Sequence, residues 1–331
     1  MKIGFYINWK KNSLSSSGNV LGDELFGESM CRSLTKIQGV HSAKLYASNY
    51  LPQEKLDYMI YLNDTQPNEN WAYKHVLYMQ NAYGEGSETA IKKFQKIGYD
   101  RYAFISKKIL DIHVSDGFTG IFLPFGVDTG FFYPRPFDRR FDYEVSYIGN
   151  DIKGLDRTSR YLLPAADFHF GLYGNWRIRK AKKSFWKILF GGSLSRRQPE
   201  IPEYKKLFSR LSKGKIPQEE VPVLYSSSKI NLNCTAQDCV DWDVITLRTF
   251  EVLACKGFLI TDKTAIAETI LKDGAVFTEG GEDLSDKIRY YIDHEKERDE
   301  IAGAGYEYVV KNASIDSRMR ELFEYLQGIG V

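Results

Sequence analysis

Cysteine is scarce: Cys31, Cys234, Cys239 and Cys255 are all there is in 331 residues. That is too few for a disulfide scaffold. Cys234 and Cys239 have histidines only at distant positions, so they read as core or loop thiols rather than zinc ligands. No stretch approaches the roughly 20 apolar residues that a membrane-spanning helix needs. The opening Met1-Lys2-Ile3-Gly4-Phe5-Tyr6-Ile7 reads as a first strand, too short for a secretory signal core. A cytoplasmic chain with reduced thiols is therefore expected. No charge sign dominates: 45 Lys+Arg against 43 Asp+Glu leave +2, and a dedicated nucleic-acid binder would be far more basic. Repeats and low-complexity tracts are missing too. So are a Gly-x-x-x-x-Gly-Lys-Ser/Thr phosphate loop, His-Glu-x-x-His, Cys-x-x-Cys and Gly-x-Ser-x-Gly. Gly84-Glu85-Gly86-Ser87 lacks the third glycine of a dinucleotide fingerprint and reads as a loop. Asn63-Asp64-Thr65, Asn233-Cys234-Thr235 and Asn312-Ala313-Ser314 have the form of glycosylation acceptors, which an unexported chain would not use.

What is present is an alternation. Hydrophobic residues at 43% and charged residues at 27% are ordinary for a globular protein, and the length suits about two domains. Short apolar runs at 2–7, 57–62, 74–79, 101–106, 120–125, 143–149, 168–174, 228–234, 258–262 and 274–278 alternate with helical patterns. Many are apolar on successive residues, as in parallel strands buried on both faces. The class is therefore α/β. Tyr133-Pro134-Arg135-Pro136 and the charges after it mark the domain break. The expected division is 1–138, 139–312 and a last helix, 313–331, able to cap either domain or bridge both.

The informative stretch begins near Tyr225. A polar loop, 235–243, leads into a helix starting near Ile245 or Thr246. Its first turn, with Thr246 and Leu247, offers free backbone N–H groups and the positive end of a dipole. Arg248 adds a fork suited to phosphate oxygens. Glu251 can accept both hydrogen bonds of a vicinal diol, as on a ribose, and Asp243 can take a sugar hydroxyl. Together they suit a phosphate flanked by two polyols, a nucleotide-sugar. A plainer reading stays open: Arg248 and Glu251 as a surface ion pair worth about 0.2–0.5 kcal/mol, and Asp243 as a helix cap.

The spacing of Asp243 and Glu251 resembles the Glu-x7-Glu element of retaining family 4 glycosyltransferases of the GT-B fold, with Asp in the first place. Leu247-Arg248-Thr249-Phe250-Glu251-Val252-Leu253-Ala254-Cys255-Lys256-Gly257 and the following Phe258-Leu259-Ile260-Thr261-Asp262 resemble more closely the CgeB-like spore-maturation glycosyltransferases. Glu297-Arg298 and Ser317-Arg318 agree with that pattern, and Phe125-Gly126-Val127-Asp128 with Phe132 and Pro134 is similar to the junction of GT-B enzymes. Lys256 stands where those proteins have a glycine. The resemblance covers roughly 143–318 and weakens over the first 110 residues.

It implies two Rossmann-like doubly wound domains facing across a cleft, the second holding the nucleotide-sugar. Glu251 would then hold the ribose and Asp243 the donor hexose. Arg157 and Arg248 would neutralise the diphosphate without a metal or other cofactor. Gly149 and Asn150 would line the phosphate side, and Ile216 and Pro217 the base. Asn19, Asp23 and Glu24 would face the acceptor or the donor phosphate, or else serve as linker and helix cap. Glu85 is a further candidate base should the reaction invert; the Asp243–Glu251 spacing leans toward retention. The function implied is sugar transfer to a glycan, lipid or protein. A nucleotide-sugar epimerase and a non-catalytic nucleotide-sugar-binding protein are the alternatives. No nucleic-acid partner is expected. The basic, aromatic run Trp176-Arg177-Ile178-Arg179-Lys180-Ala181-Lys182-Lys183-Ser184-Phe185-Trp186-Lys187 suits peripheral contact with the inner face of a membrane, an anionic partner, or simply a solvated face.

Overall fold

The computed structural model describes residues 1–12, 22–62, 64–81, 84–178 and 201–329. In the first half, β1 (Lys2–Ile7), β2 (Ser42–Ala47), β3 (Leu56–Tyr61), β4 (Ala72–Met79), β5 (Arg101–Phe104) and β6 (Ile121–Phe122) form one sheet in the order β2-β1-β3-β4-β5-β6. In the second, β7 (Val145–Ile148), β8 (Phe170–Tyr173), β9 (Ile230–Asn233), β10 (Leu259–Asp262) and β11 (Val276–Thr278) form another in the order β11-β10-β9-β7-β8. Every strand pairing is parallel. These are the two doubly wound sheets of the GT-B fold.

Parallel pairing explains the apolar runs. Five of the six β1 residues are buried, because helices cover both faces of such a sheet. The strand absent from the sequence reading is β2. It sits at the sheet edge, and Ser42 and Lys44 interrupt its apolar pattern with polar, outward positions.

The helices of the first half are α1 (Gly22–Leu34), α2 (Ser87–Ile97) and α3 (Lys107–Ser115). The second half carries α4 (Leu155–Tyr161), α5 (Glu203–Leu211), α6 (Val221–Ser227), α7 (Gln237–Asp241), α8 (Leu247–Ala254), α9 (Ala265–Leu271), α10 (Glu282–Asp293), α11 (Glu295–Asn312) and α12 (Ile315–Gln327). Ser314 caps α12, accepting the Ser317 amide at 3.1 Å. The chain there is stitched to the linker: Val127 donates to the Ala313 carbonyl at 2.9 Å, and Ile315 to that of Val127 at 2.8 Å. α12 then crosses to the first sheet. Ile315, Met319, Leu322, Phe323 and Leu326 share a hydrophobic core with Phe26, Met30 and Leu34 of α1.

One sequence expectation is corrected here, and another is given a structural reason. Trp176 does not face a membrane. It is 3% exposed, packed edge-on to Phe208 with centroids 5.1 Å apart. Residues 179–187 of that basic run lie outside the described residues, and among the described ones no helix is long and apolar enough to cross a membrane. Asn233, in the second glycosylation-like triplet, is 3% exposed at the end of β9 and has no access to a glycan-adding enzyme.

His113 of α3 is fully buried among Tyr102, Phe104 and Phe118, with Nδ1 facing the Gln95 amide at 3.3 Å. Burial holds its pKa below the usual histidine value, and burial does the same to His75. A group with a lowered native pKa binds its proton more readily when unfolded, so stability is full above about pH 6.5 and falls as pH drops below it. The urea midpoint is accordingly expected to fall between pH 7 and 5.5, and His113→Phe to flatten that slope with no change in the denaturant dependence.

Candidate functional site

Ligands of open α/β sheets bind beyond the carboxyl ends of the strands. In the second domain those ends bring together Ile148-Gly149-Asn150 after β7, Asn233 closing β9 and Asp262 closing β10. Asn233 is a hub. Its Nδ2 donates to the hydroxyls of Thr235 and Thr261, both at 3.1 Å. Its Oδ1 accepts from Arg248 Nη1 at 3.0 Å and from Thr246 Oγ1 at 3.3 Å. Thr246 is the N-cap residue of α8, so one buried amide fixes both the start of that helix and the direction of Arg248.

Arg248 and Glu251 lie on the wall of a cavity of about 350 Å³ between the domains. Facing them are Leu25, Phe26, Ser29 and Arg32 of α1, the linker residues Gly126 to Asp128, Phe131 and Phe132, then Ile148, Gln218, Val221 and Tyr225. Arg248 also lies over the Tyr147 ring, 5.0 Å from its centroid. Gly149 is the residue that permits this. A Cβ there would stand 2.5 Å from the Tyr147 hydroxyl.

No carboxylate lies within ion-pair distance of Arg248 among the described residues, which removes the surface-pair reading of Arg248 and Glu251. Glu251 is instead a desolvated acid. Burial pushes its pKa up to about 7, against the pull of Arg248. Lys153, on the loop after β7, is likewise without a carboxylate partner. Burial and then the charge of Arg248 hold its pKa below the usual lysine value. The sequence reading did not single out Lys153. It precedes Gly154 in an unremarkable polar turn, and only the fold carries it to Arg248.

Arg157 is placed differently from expectation. Its guanidinium pairs with Asp262, donates through Nε to the Thr235 carbonyl at 3.1 Å, and lies 4.0 Å from the Tyr161 centroid. Asp262 also accepts from the Thr235 amide at 3.0 Å and hydroxyl at 2.8 Å. Arg157 is thus neutralised and braces the 235–243 loop from below. It is not a free charge for a diphosphate.

Asp243 sits in the left-handed region, φ 59°, and its Oδ1 accepts the Ile266 amide at 2.9 Å. It is half-buried and bridges that loop to the first turn of α9. Ile216 is half-buried and Pro217 exposed, just before the cavity residue Gln218. Asn150 turns its Oδ1 to the Asn175 amide at 2.8 Å. Glu24 is 5% exposed; Oε1 accepts the Asn12 amide at 2.8 Å, and Oε2 has no partner among the described residues. Asn19 and the side chains of Asp23 and Glu85 lie outside the described residues.

A family model described as glycosyl transferase-like matches residues 157–324, just over half of the chain. A search of curated proteins finds no significant match. Several solved structures share the fold over nearly the whole length. Sucrose-phosphate synthase from Thermosynechococcus elongatus aligns with a TM-score of 0.62 at 12% identity, over 99% of each chain. HepE of Anabaena, in complex with UDP-glucose, aligns at 0.64 and 12%, over 99% of this chain and 100% of the other. BGT of phage T4 with its UDP-glucose substrate aligns at 0.61 and 14%, over 100% of both.

Removing one partner of a buried ion pair leaves an uncompensated charge and costs about 3–5 kcal/mol. Arg157→Ala and Asp262→Ala are each expected to destabilise the second domain by about that much in urea titrations. The double variant should lose clearly less than the sum of the two, and strict additivity would show that the pair is not coupled.

Proposed function

Because the chain belongs to the glycosyl transferase-like family, we propose that it moves a sugar from a nucleoside-diphosphate sugar to a glycan, lipid or protein acceptor. The observation that carries the donor assignment is the uncompensated positive charge at the cleft. Arg248 and Lys153 repel one another, and among the described residues neither forms an ion pair with a carboxylate. Two desolvated cations held together call for an anion of at least comparable charge, and a diphosphate supplies it. The same cations would stabilise the charge that grows on the leaving diphosphate, with no metal needed for that task.

Glu251 then suits the ribose diol, with Gln218 and the 216–217 backbone beside the base. In this reading Asp243 and the first turn of α9 would serve the donor sugar. UDP-glucose in the HepE and BGT structures supports uridine as the first nucleotide to try. The Asp243–Glu251 spacing supports retention and the CgeB-like subgroup, and the work of the enzyme on the inner side of a cell membrane remains part of the same proposal.

Calorimetry with UDP-glucose tests it. Arg248→Ala and Lys153→Ala should each weaken binding by about 10- to 100-fold, the scale of a charged hydrogen bond. Unchanged affinity in both would overturn the donor site.

The pH dependence follows from Glu251. The ionised carboxylate accepts from both ribose hydroxyls, whereas the neutral acid gives up part of that capacity. Affinity for UDP-glucose should therefore rise from pH 6 to 8 with a midpoint at or below about 7. Glu251→Gln should bind more weakly and lose the slope.

A further inference from the structure

The loop that carries Asp243 belongs to the second domain, yet it is gripped by the first. Trp242 donates from Nε1 to the Gly84 carbonyl at 2.5 Å. Its own carbonyl accepts from Ser106 Oγ at 2.6 Å. One residue earlier, the Asp241 carbonyl accepts from Lys108 Nζ at 3.0 Å. Two residues later, Val244 is 2% exposed inside the core of the first domain, and the Trp242 ring packs against two clusters of that domain. The three partners come from separate places: the turn Gly84–Gly86 before α2, the capping serine of α3, and the first turn of α3.

The fit is close. Gly84 has φ 57°, and a Cβ there would stand 2.7 Å from Asp238 Oδ1, so only glycine lets the turn meet α7. Ser106 is fully buried and does two jobs, donating to Trp242 while accepting the Ile109 amide at 3.2 Å. Between these grips and the helix that bears Arg248 lies Asp243. Its left-handed backbone costs about 1–3 kcal/mol for a non-glycine residue and persists only where the surroundings over-determine it. The surroundings are the latch on one side and the Ile266 amide on the other.

We propose that Trp242 is a positioning residue: by latching the 237–244 loop to the first domain, it holds Asp243 in its left-handed conformation at the cleft and ties that geometry to domain contact. Donor affinity then rests on Arg248, Lys153 and Glu251, which all belong to the second domain, Arg248 being held there by Asn233. Turnover rests in addition on the first domain being docked. The kinetic half of this inference rests on the transferase reading; the structural half does not.

Hydrogen exchange on the whole protein tests the structural half. Trp242→Ala should raise exchange on both sides of the cleft, at 237–246 and at 84–97 together with the start of α3, and leave β7 and β8 unchanged. Faster exchange at 237–246 alone would overturn the latch. Trp242→Phe, which keeps an aromatic ring and removes only the hydrogen bond to Gly84, should show the same linked pattern at smaller amplitude, and guards against a variant that fails to fold.

Kinetics test the other half, with UDP-glucose hydrolysis or whichever nucleotide-sugar the wild type turns over. Trp242→Ala should lower kcat at least tenfold with the donor KM within about twofold, and Trp242→Phe should recover part of kcat. A rise in KM with kcat intact would overturn the positioning role. If the wild type turns over no nucleotide-sugar, the transferase reading fails and the exchange result alone decides the latch.

Discussion

Positive charge with no ion-paired carboxylate among the described residues is the constraint around which the cleft is arranged. A guanidinium and an ammonium removed from water repel one another and lose hydration, and each would ordinarily be matched by a carboxylate. Here the nearby acids are committed elsewhere. Asp262 is consumed by Arg157, and Asp243 by the backbone of the next helix. Glu251 is itself too desolvated to ionise fully near neutral pH. What holds Arg248 is neutral: one amide oxygen and the face of a tyrosine. The protein thus bears the cost of two like charges held close together.

The scaffold behind this was largely legible in the residues. Apolar runs on successive positions foretold parallel strands covered on both faces, and ten of the eleven strands carried that signal. The edge strand β2 did not, because one side of an edge is wet and its residues follow suit. Arg248 and Glu251 were legible because their interval on a helix is set by 3.6 residues per turn, which sequence alone fixes. Lys256 is a telling departure: it stands at φ 54°, where a glycine would sit without strain, so a lysine here carries a backbone cost that the expected glycine would avoid.

What was not legible depends on residues far apart in the chain. Arg157 looked free until the end of β10 placed Asp262 against it. Asn233 stood out only as part of an unused glycosylation-like triplet, and is a buried hub that joins four residues from three separate segments. Gly84-Glu85-Gly86 looked like an idle loop, and forms the dock for an indole more than 150 residues downstream. Trp176 with its basic run looked suited to membrane contact, anionic-partner contact or a solvated face, but an aromatic ring beside charges carries no information about which way it turns. In each case the partner is supplied by topology, which no local window of sequence contains.

The return of α12 to the first sheet has a consequence for biosynthesis. Met319, Leu322, Phe323 and Leu326 complete a core whose other members, apart from Val244 and their own helix neighbours Ile315 and Tyr325, lie within the first half of the chain. A ribosome makes those other members first, at about 5–20 residues per second. The first domain therefore spends the synthesis of the entire second domain with an apolar groove uncovered, and closes it only when the last helix emerges from the exit tunnel. Nascent chains stalled before residue 315 would present that groove to chaperones.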